Sequence, residues 1–355
     1  MVSAKEVELI LMKVIQVGIG GMGNTWLNAV LNSSEVEYAA LVEINEDIGR
    51  QQAEKYGLDP ALIFRSLPEA LAAVSADGVI DVTPPAFHRE ISAIALEAGL
   101  PVLSEKPLAN TLADAVAIGQ KANETGVLHM VAQNYRYHVP VQTLKSVLAS
   151  GEFGRVGSVS VEFFKGPHFG GFREEMAYPL IIDMAIHHFD LMRFLLESES
   201  VSIFGRSWNP PWSWYKGDAS ASVSLEFASG VMVAYNGSWC STGRETAWNA
   251  HWRFECERGV VTLQEDRVYT QARSDELLSQ GGYSQFSNGE VIEVKPVELT
   301  HVAQAYLLHE FYQAVTQHKA VATTCQDNIK SLGIVFDVIK SCETGQPVRS
   351  GEMKR

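Results

Sequence analysis

A β-branched run, Val14-Ile15-Gln16-Val17, leads directly into the glycine loop Gly18-Ile19-Gly20-Gly21-Met22-Gly23, and a helical pattern opens near Met22. This strand, loop and helix order constrains the first third of the chain more than any other feature. Further short β-branched runs at 39–44, 79–82, 102–104 and 128–132 alternate with amphipathic stretches at 47–56, 87–98 and 111–124. Such alternation builds a parallel sheet covered by helices, and Gly99 and Gly126 stand where the last two helices should close.

Three of the four loop glycines have a physical task. Gly18 permits a tight turn, Gly20 lets a phosphate approach the backbone, and Gly23 lets helix and strand pack closely. The amides of Ile19, Gly21 and Met22 and the positive helix end then face a pyrophosphate. An acidic residue is expected about 20 positions further on, and Glu43 stands there at the end of the second run. A carboxylate at that point accepts hydrogen bonds from both adenosine ribose hydroxyls and repels a 2′-phosphate. With no Lys or Arg before Arg50, the pattern favours NAD over NADP. A solvated strand-end charge is the competing reading of Glu43, and a flavin is the less favoured cofactor because nothing else suggests its isoalloxazine site.

At 355 residues, 46% of them apolar, the chain has material for two cores. Lys and Arg total 28 against 42 Asp and Glu, a formal charge of −14, which argues against nucleic acid and anionic lipid as partners. Four cysteines without a close pair give neither a zinc knuckle nor a disulfide framework. No signal segment and no apolar run of transmembrane length is found, so a soluble cytoplasmic protein is expected. Residues 1–11 precede a natural chain start for this fold and are expected to be a peripheral extension.

After Arg136 the pattern changes. A helix at 140–149 is followed by strand-like runs at 156–164, 201–207, 219–227, 231–239, 250–256 and 259–263, with a helix at 179–196 among them and two more at 302–317 and 326–343. The expected fold is therefore an α/β Rossmann domain over 12–136, then an α+β domain over 137–355 with a large, mostly antiparallel open sheet.

Two clusters carry candidate chemistry. Ser104-Glu105-Lys106-Pro107 closes a buried run, and strand C-terminal ends are where an open α/β sheet presents ligands. The Lys106 ammonium can polarise a substrate oxygen, and the positive ring of NAD⁺ would repel its charge. In Asp183-Met184-Ala185-Ile186-His187-His188-Phe189-Asp190, Asp183 and His187 fall on one helical face. A carboxylate beside an imidazole orients it and suits it to carry protons. A satisfied helix-face histidine is the bland alternative. A metal held by His187 with Asp183 or Asp190 lacks a third ligand nearby, so no metal is expected.

Together and in this order, the glycine loop, Thr83-Pro84-Pro85 with His88, Glu105-Lys106-Pro107, Asn134-Tyr135-Arg136 and the Asp183/His187 pair resemble the glucose-fructose oxidoreductase, inositol dehydrogenase and MocA family. The resemblance spans most of the chain. It implies a Rossmann domain, a second domain with a broad sheet used for dimer or tetramer contacts, and a sugar or polyol substrate. It also implies that Lys106, Asp183 and His187 are catalytic: His187 exchanges the hydroxyl proton, Lys106 polarises the oxygen and Asp183 holds His187. Thr83, Pro84, His88 and Glu105 would line the cofactor beside Lys106, and Tyr135 and Arg136 would meet substrate. Many relatives carry a glycine cluster before the aspartate and glycine two after it. Here stand Met176-Ala177-Tyr178-Pro179 and Ala185, so the substrate does not carry over.

Six of the seven tryptophans lie between 208 and 252, which suits stacking on sugars but also a core or an oligomer interface. The glycine-bearing loop 165–173, with His168 in it, is the better substrate candidate, with an ordinary surface loop as the alternative reading. Hydride transfer between NAD and a sugar or cyclitol is the leading expectation. A glycoside-cleaving enzyme using NAD transiently and a non-catalytic NAD-sensing regulator are the alternatives.

Overall fold

The computed structural model describes residues 11–280 and 282–351, so the expected N-terminal extension lies outside the described residues except for Leu11. The chain folds as two compact units, residues 11–134 with Thr300–Ile329, and Tyr135–Leu299 with 330–351.

In the first unit the elements run β1 (Met12–Val17), α1 (Gly23–Leu31), β2 (Val36–Val42), α2 (Glu46–Tyr56), β3 (Ile63–Phe64), α3 (Leu67–Ala73), β4 (Gly78–Asp81), α4 (His88–Glu97), β5 (Val102–Ser104), α5 (Leu112–Thr125) and β6 (His129–Val131). Every pair in this sheet is parallel and the order is β3-β2-β1-β4-β5-β6. Val14, Ile15, Val79, Ile80, Val102 and Leu103 are wholly buried, as a sheet covered on both faces requires. Local chemistry sets the helix ends. The Asn45 side chain caps α2 by accepting from the amides of Asp47 and Ile48, and Gly57 stops it with φ +63°. Thr111 caps α5 and Gly126 ends it with φ +68°.

The second unit contains α6 (Val139–Ala149), β7 (Val156–Phe164), α7 (Phe172–Glu175), a π-helical segment (Leu180–Ala185) running into α8 (Ile186–Leu196), β8 (Ser200–Trp208), β9 (Ser220–Phe227), β10 (Met232–Ser238), β11 (His251–Cys256), β12 (Gly259–Gln264), β13 (Arg267–Gln280) and β14 (Tyr283–Glu293). Three elements follow in the chain: α9 (Ala303–Gln317), α10 (Cys325–Thr344) and β15 (Val348–Arg349). The nine-stranded sheet has the order β14-β13-β12-β11-β7-β10-β9-β8-β15. Only β7 and β10 pair in parallel, so the sheet is mostly antiparallel as expected. Alternation from Ala221 onward in β9 and along β10 buries Val223, Leu225, Val233 and Tyr235 on one face.

The structure departs from the expected domain boundary in one respect. Residues 300–329 pack in the first unit, whereas the sequence placed everything after 136 in the second. On α9, Leu307, Leu308 and Phe311 are buried, and a Cβ added at Gly78 would lie 2.9 Å from the Phe311 ring. Among the described residues no helix is long and apolar enough to cross a membrane, and all four cysteines are free thiols.

Candidate functional site

In the first unit the glycine loop sits at the C-terminal end of β1, where the strand order reverses toward β4. Gly18 has φ +88°, and a Cβ on it would lie 2.9 Å from the Val82 carbonyl oxygen; one on Gly23 would lie 2.7 Å from that of Gly18. Packing thus requires both glycines. At Gly20 and Gly21 a Cβ would meet nothing within 4 Å, so the fold itself does not demand glycine there. An approaching ligand would, and the loop therefore fits a phosphate-bearing cofactor. Behind the loop, buried Gln16 donates from Nε2 to the carbonyls of Gly18 (3.0 Å) and Gly23 (3.2 Å), and Tyr38 donates to its Oε1 (2.5 Å). Sequence reasoning missed this brace, although a polar residue inside an apolar strand was its signal.

Glu43 follows the last residue of β2. Its carboxylate accepts from the amides of Ile19 (3.3 Å) and Asn45 (3.0 Å), which aims it along the glycine turn and leaves lone pairs for further donors. The Ile19 side chain is core, packed with Leu27 and Leu41. Arg65 comes directly after β3, whose Phe64 carbonyl accepts the Glu43 amide, and pairs with Glu46. That cation near Glu43 was invisible in the sequence because two-residue β3 was not expected.

Lys106 stands half-buried just beyond β5, and its amide donates to the Glu105 carboxylate (3.0 Å), whose other oxygen accepts from the Trp26 indole (2.8 Å). Burial pushes the Glu105 carboxyl above its ordinary range, opposed by the Trp26 bond and the Lys106 charge. The loop after β4 is held by Asp81, which accepts from the amide (3.0 Å) and hydroxyl (2.7 Å) of Thr83.

In the second unit His187 lies on the first turn of α8, 4% exposed, with its ring stacked on Tyr135 at 4.1 Å and 22°. Asp183 lies in the π segment, a turn geometry that is rare and recurs at functional sites. Its Oδ2 accepts from Arg173 Nε at 2.6 Å. Burial raises the Tyr135 hydroxyl above its usual range, and the nearby carboxylates of Asp266 and Asp183 add to this. Tyr135, Asp183 and His187 therefore share one neighbourhood. It continues through His138, 4.5 Å from Tyr135 between ring centres, to Asn249 (2.8 Å) and on to Asp266 (2.8 Å). The adjacent His188 is different: it is wholly buried against Phe163 and Tyr235, and burial pushes its pKa down to about 4, so it stays neutral.

Two family profiles cover most of the chain, one described as an oxidoreductase family NAD-binding Rossmann fold over residues 12–133, the other as a GFO/IDH/MocA C-terminal domain over 141–262. A protein of Sinorhizobium fredii named uncharacterized protein y4oX is 32% identical over 96% of both chains. The chain belongs to the GFO/IDH/MocA oxidoreductase family. It is also similar to the 1,5-anhydro-D-fructose reductase of Ensifer adhaerens, 24% identical over 93% of this chain and 96% of that one. Its fold is shared with an Agrobacterium radiobacter oxidoreductase solved with NAD⁺, L-tartaric acid and magnesium, at TM-score 0.84 and 20% identity, covering 96% of this chain and 99% of that one.

Within this GFO/IDH/MocA chain, three residues expected to line a ligand do other work. Arg136 is 4% exposed and forks onto Asp190, Nε to Oδ2 and Nη2 to Oδ1, both at 2.7 Å, so its guanidinium is a buried pair rather than a substrate contact. His88 is wholly buried, with Nε2 on the Thr83 carbonyl (2.8 Å) and Nδ1 beside those of Pro107 (3.1 Å) and Leu108 (3.2 Å), tying two loops together instead of facing a cofactor. Glu105 likewise spends its carboxylate on Trp26 and the Lys106 amide. Pro84 is exposed in the loop after β4.

The loop 165–173 is pinned at both ends within the second unit. Lys165 pairs with Glu245 (2.8 Å), His168 stacks on Trp214 at 3.7 Å and 16°, and Arg173 reaches Asp183. The tryptophans divide: Trp239 and Trp252 are core, while Trp208, Trp212 and Trp248 are 40–60% exposed.

Proposed function

We propose that this family member transfers a hydride between NAD and the carbon of a secondary alcohol, or its ketone, in a sugar, cyclitol or related polyol. The observation that carries this reading is Glu43, a carboxylate at the tip of β2 bonded to the glycine turn. It would accept the adenosine ribose hydroxyls and repel a 2′-phosphate, while amides from Gly20 to Gly23 would meet the pyrophosphate at the N-terminus of α1. When bound, the nicotinamide accepts or supplies the hydride. In the oxidising direction His187 takes the hydroxyl proton as the carbonyl forms, and the Lys106 ammonium holds the oxygen. Tyr135 fixes the plane of the His187 ring by stacking. Asp183, itself held by Arg173, stands one turn before His187 as the carboxylate that would orient its imidazole. Similarity to a protein named for reduction of 1,5-anhydro-D-fructose supports a carbohydrate-type substrate.

A panel of sugars and cyclitols supplied with NAD should give NADH absorbance with at least one compound; none with any member would count against the reading. Cofactor choice has its own check. Glu43→Ser should weaken NAD binding about 10- to 100-fold, the loss of charge-assisted hydrogen bonds, and narrow the preference over NADP. Calorimetric titration with both cofactors reads it, and an unchanged ratio would assign selectivity elsewhere. The glycines divide in the same way. Gly20→Ala should leave stability within about 0.5 kcal/mol yet weaken NAD roughly tenfold or more, whereas Gly23→Ala should cost about 1–3 kcal/mol of folding stability because its Cβ strikes backbone. Thermal unfolding beside NAD titration separates the two effects.

A further inference from the structure

We propose that Glu35, His301 and His309 form a structural site for a divalent transition metal of the zinc type. All three belong to the first unit. Each offers one ligand atom, and the three atoms lie within 4.8 Å of one another. The rings of His301 and His309 stack at 4.6 Å and 30°, and His309 Nδ1 already meets Glu35 Oε2 at 2.7 Å. Bonds of about 2.0–2.1 Å place the ligand atoms of a tetrahedral zinc ion roughly 3.3 Å apart, inside the range of 2.7 to 4.8 Å that these atoms already span. Two imidazoles and one carboxylate are a zinc-type donor set, and the side chains of His309 and Glu35 remain 25% and 21% exposed, so water can complete the fourth position.

The outer shell fits as well. Gln313 lies one turn after His309 on α9, with its side-chain amide 2.8 Å from His309 Nε2. With Nδ1 on the metal, Nε2 carries the proton, and the amide needs only to exchange its nitrogen and oxygen to accept it. The position then decides the role. Glu35 precedes β2 and its carbonyl accepts the Met12 amide, at the end of the sheet opposite Glu43. The seven residues of β2 separate them by about 23 Å, which sets the ion apart from the glycine loop and makes it a clip between α9 and the N-terminal end of β2.

The test uses the full chain, stripped of metal by chelator and dialysed, then titrated with zinc chloride against a chromophoric competitor. One zinc per chain is expected, with affinity falling about 100-fold in His301→Ala and in Glu35→Gln, and falling as pH drops and the imidazoles protonate. Zinc should raise the thermal midpoint of the parent chain and leave that of His301→Ala unmoved, and cobalt(II) should give tetrahedral visible absorption in the parent alone. His301 lies outside regular structure, so its replacement spares the fold. Binding equally tight in His301→Ala and Glu35→Gln would place the metal on other residues and overturn the assignment, as would the absence of saturable binding.

Discussion

Replacing His187 with alanine should lower kcat by about 10²- to 10⁴-fold, the usual contribution of a positioned proton carrier, or roughly 3–5 kcal/mol of barrier. Lys106→Ala should fall in the same range by removing the charge that holds the oxygen. NAD affinity should change little in His187→Ala, because Glu43 and the glycine turn belong to the other unit. Circular dichroism and a thermal scan must first establish that each variant folds. The same turnover number in the variants as in the parent would leave both residues without the roles given to them. Arg173→Leu provides a finer comparison. By freeing Asp183 from its 2.6 Å partner it should alter the pH profile of kcat more than KM, a signature that simple loss of packing would not produce.

A second large effect is expected at Asp190, and it is one of stability. Its carboxylate takes both nitrogens of Arg136 at 2.7 Å and the Ser331 hydroxyl at 2.6 Å, and Ser331 also accepts from Arg193 at 2.7 Å. Both guanidinium groups are 5% exposed. Breaking a buried pair by removing one partner costs about 3–5 kcal/mol, because the charge left behind stays desolvated. Asp190→Ala should therefore lower the thermal midpoint of the second unit by roughly 6–20 °C. The double variant Arg136→Met/Asp190→Leu should recover much of that loss, since an apolar pair of similar size avoids the stranded charge. A single variant that melts within about 2 °C of the parent would mean the fork adds little. The pair matters to the site because Arg136 adjoins Tyr135 in the chain and Asp190 lies one turn after His187. Locking Arg136 to α8 thereby helps hold the Tyr135 ring against the His187 imidazole.

How much the sequence disclosed follows from what each residue must satisfy locally. Gly18 and Gly23 were legible because a left-handed φ and a 2.7 Å backbone approach tolerate no other side chain. Glu43 was legible because its place at the end of β2 is fixed by strand length. Motif position, however, does not give side-chain direction. Arg136 and His88 looked like ligand contacts until their partners, Asp190 54 residues away and the carbonyls of Pro107 and Leu108, turned them inward. The hairpin of β13 and β14 was missed for another reason: β14 is exposed at ten of its eleven positions, so no alternation of buried and exposed residues marks it. The π segment around Asp183 has the same apolar spacing as an α-helix and so read as one. Zinc-type ligands such as Glu35 and His309 are 274 residues apart, and only the return of α9 to the first unit brings them together.

The fate of the carbinol hydrogen decides whether this protein passes a hydride to the nicotinamide. With an accepted polyol carrying deuterium at the oxidised carbon, the label should move to the nicotinamide, giving deuterated NADH in a one-to-one ratio with ketone product, and His187→Ala should slow this transfer without redirecting it. Recovery of the label in the sugar product with NAD unchanged at the end would contradict it.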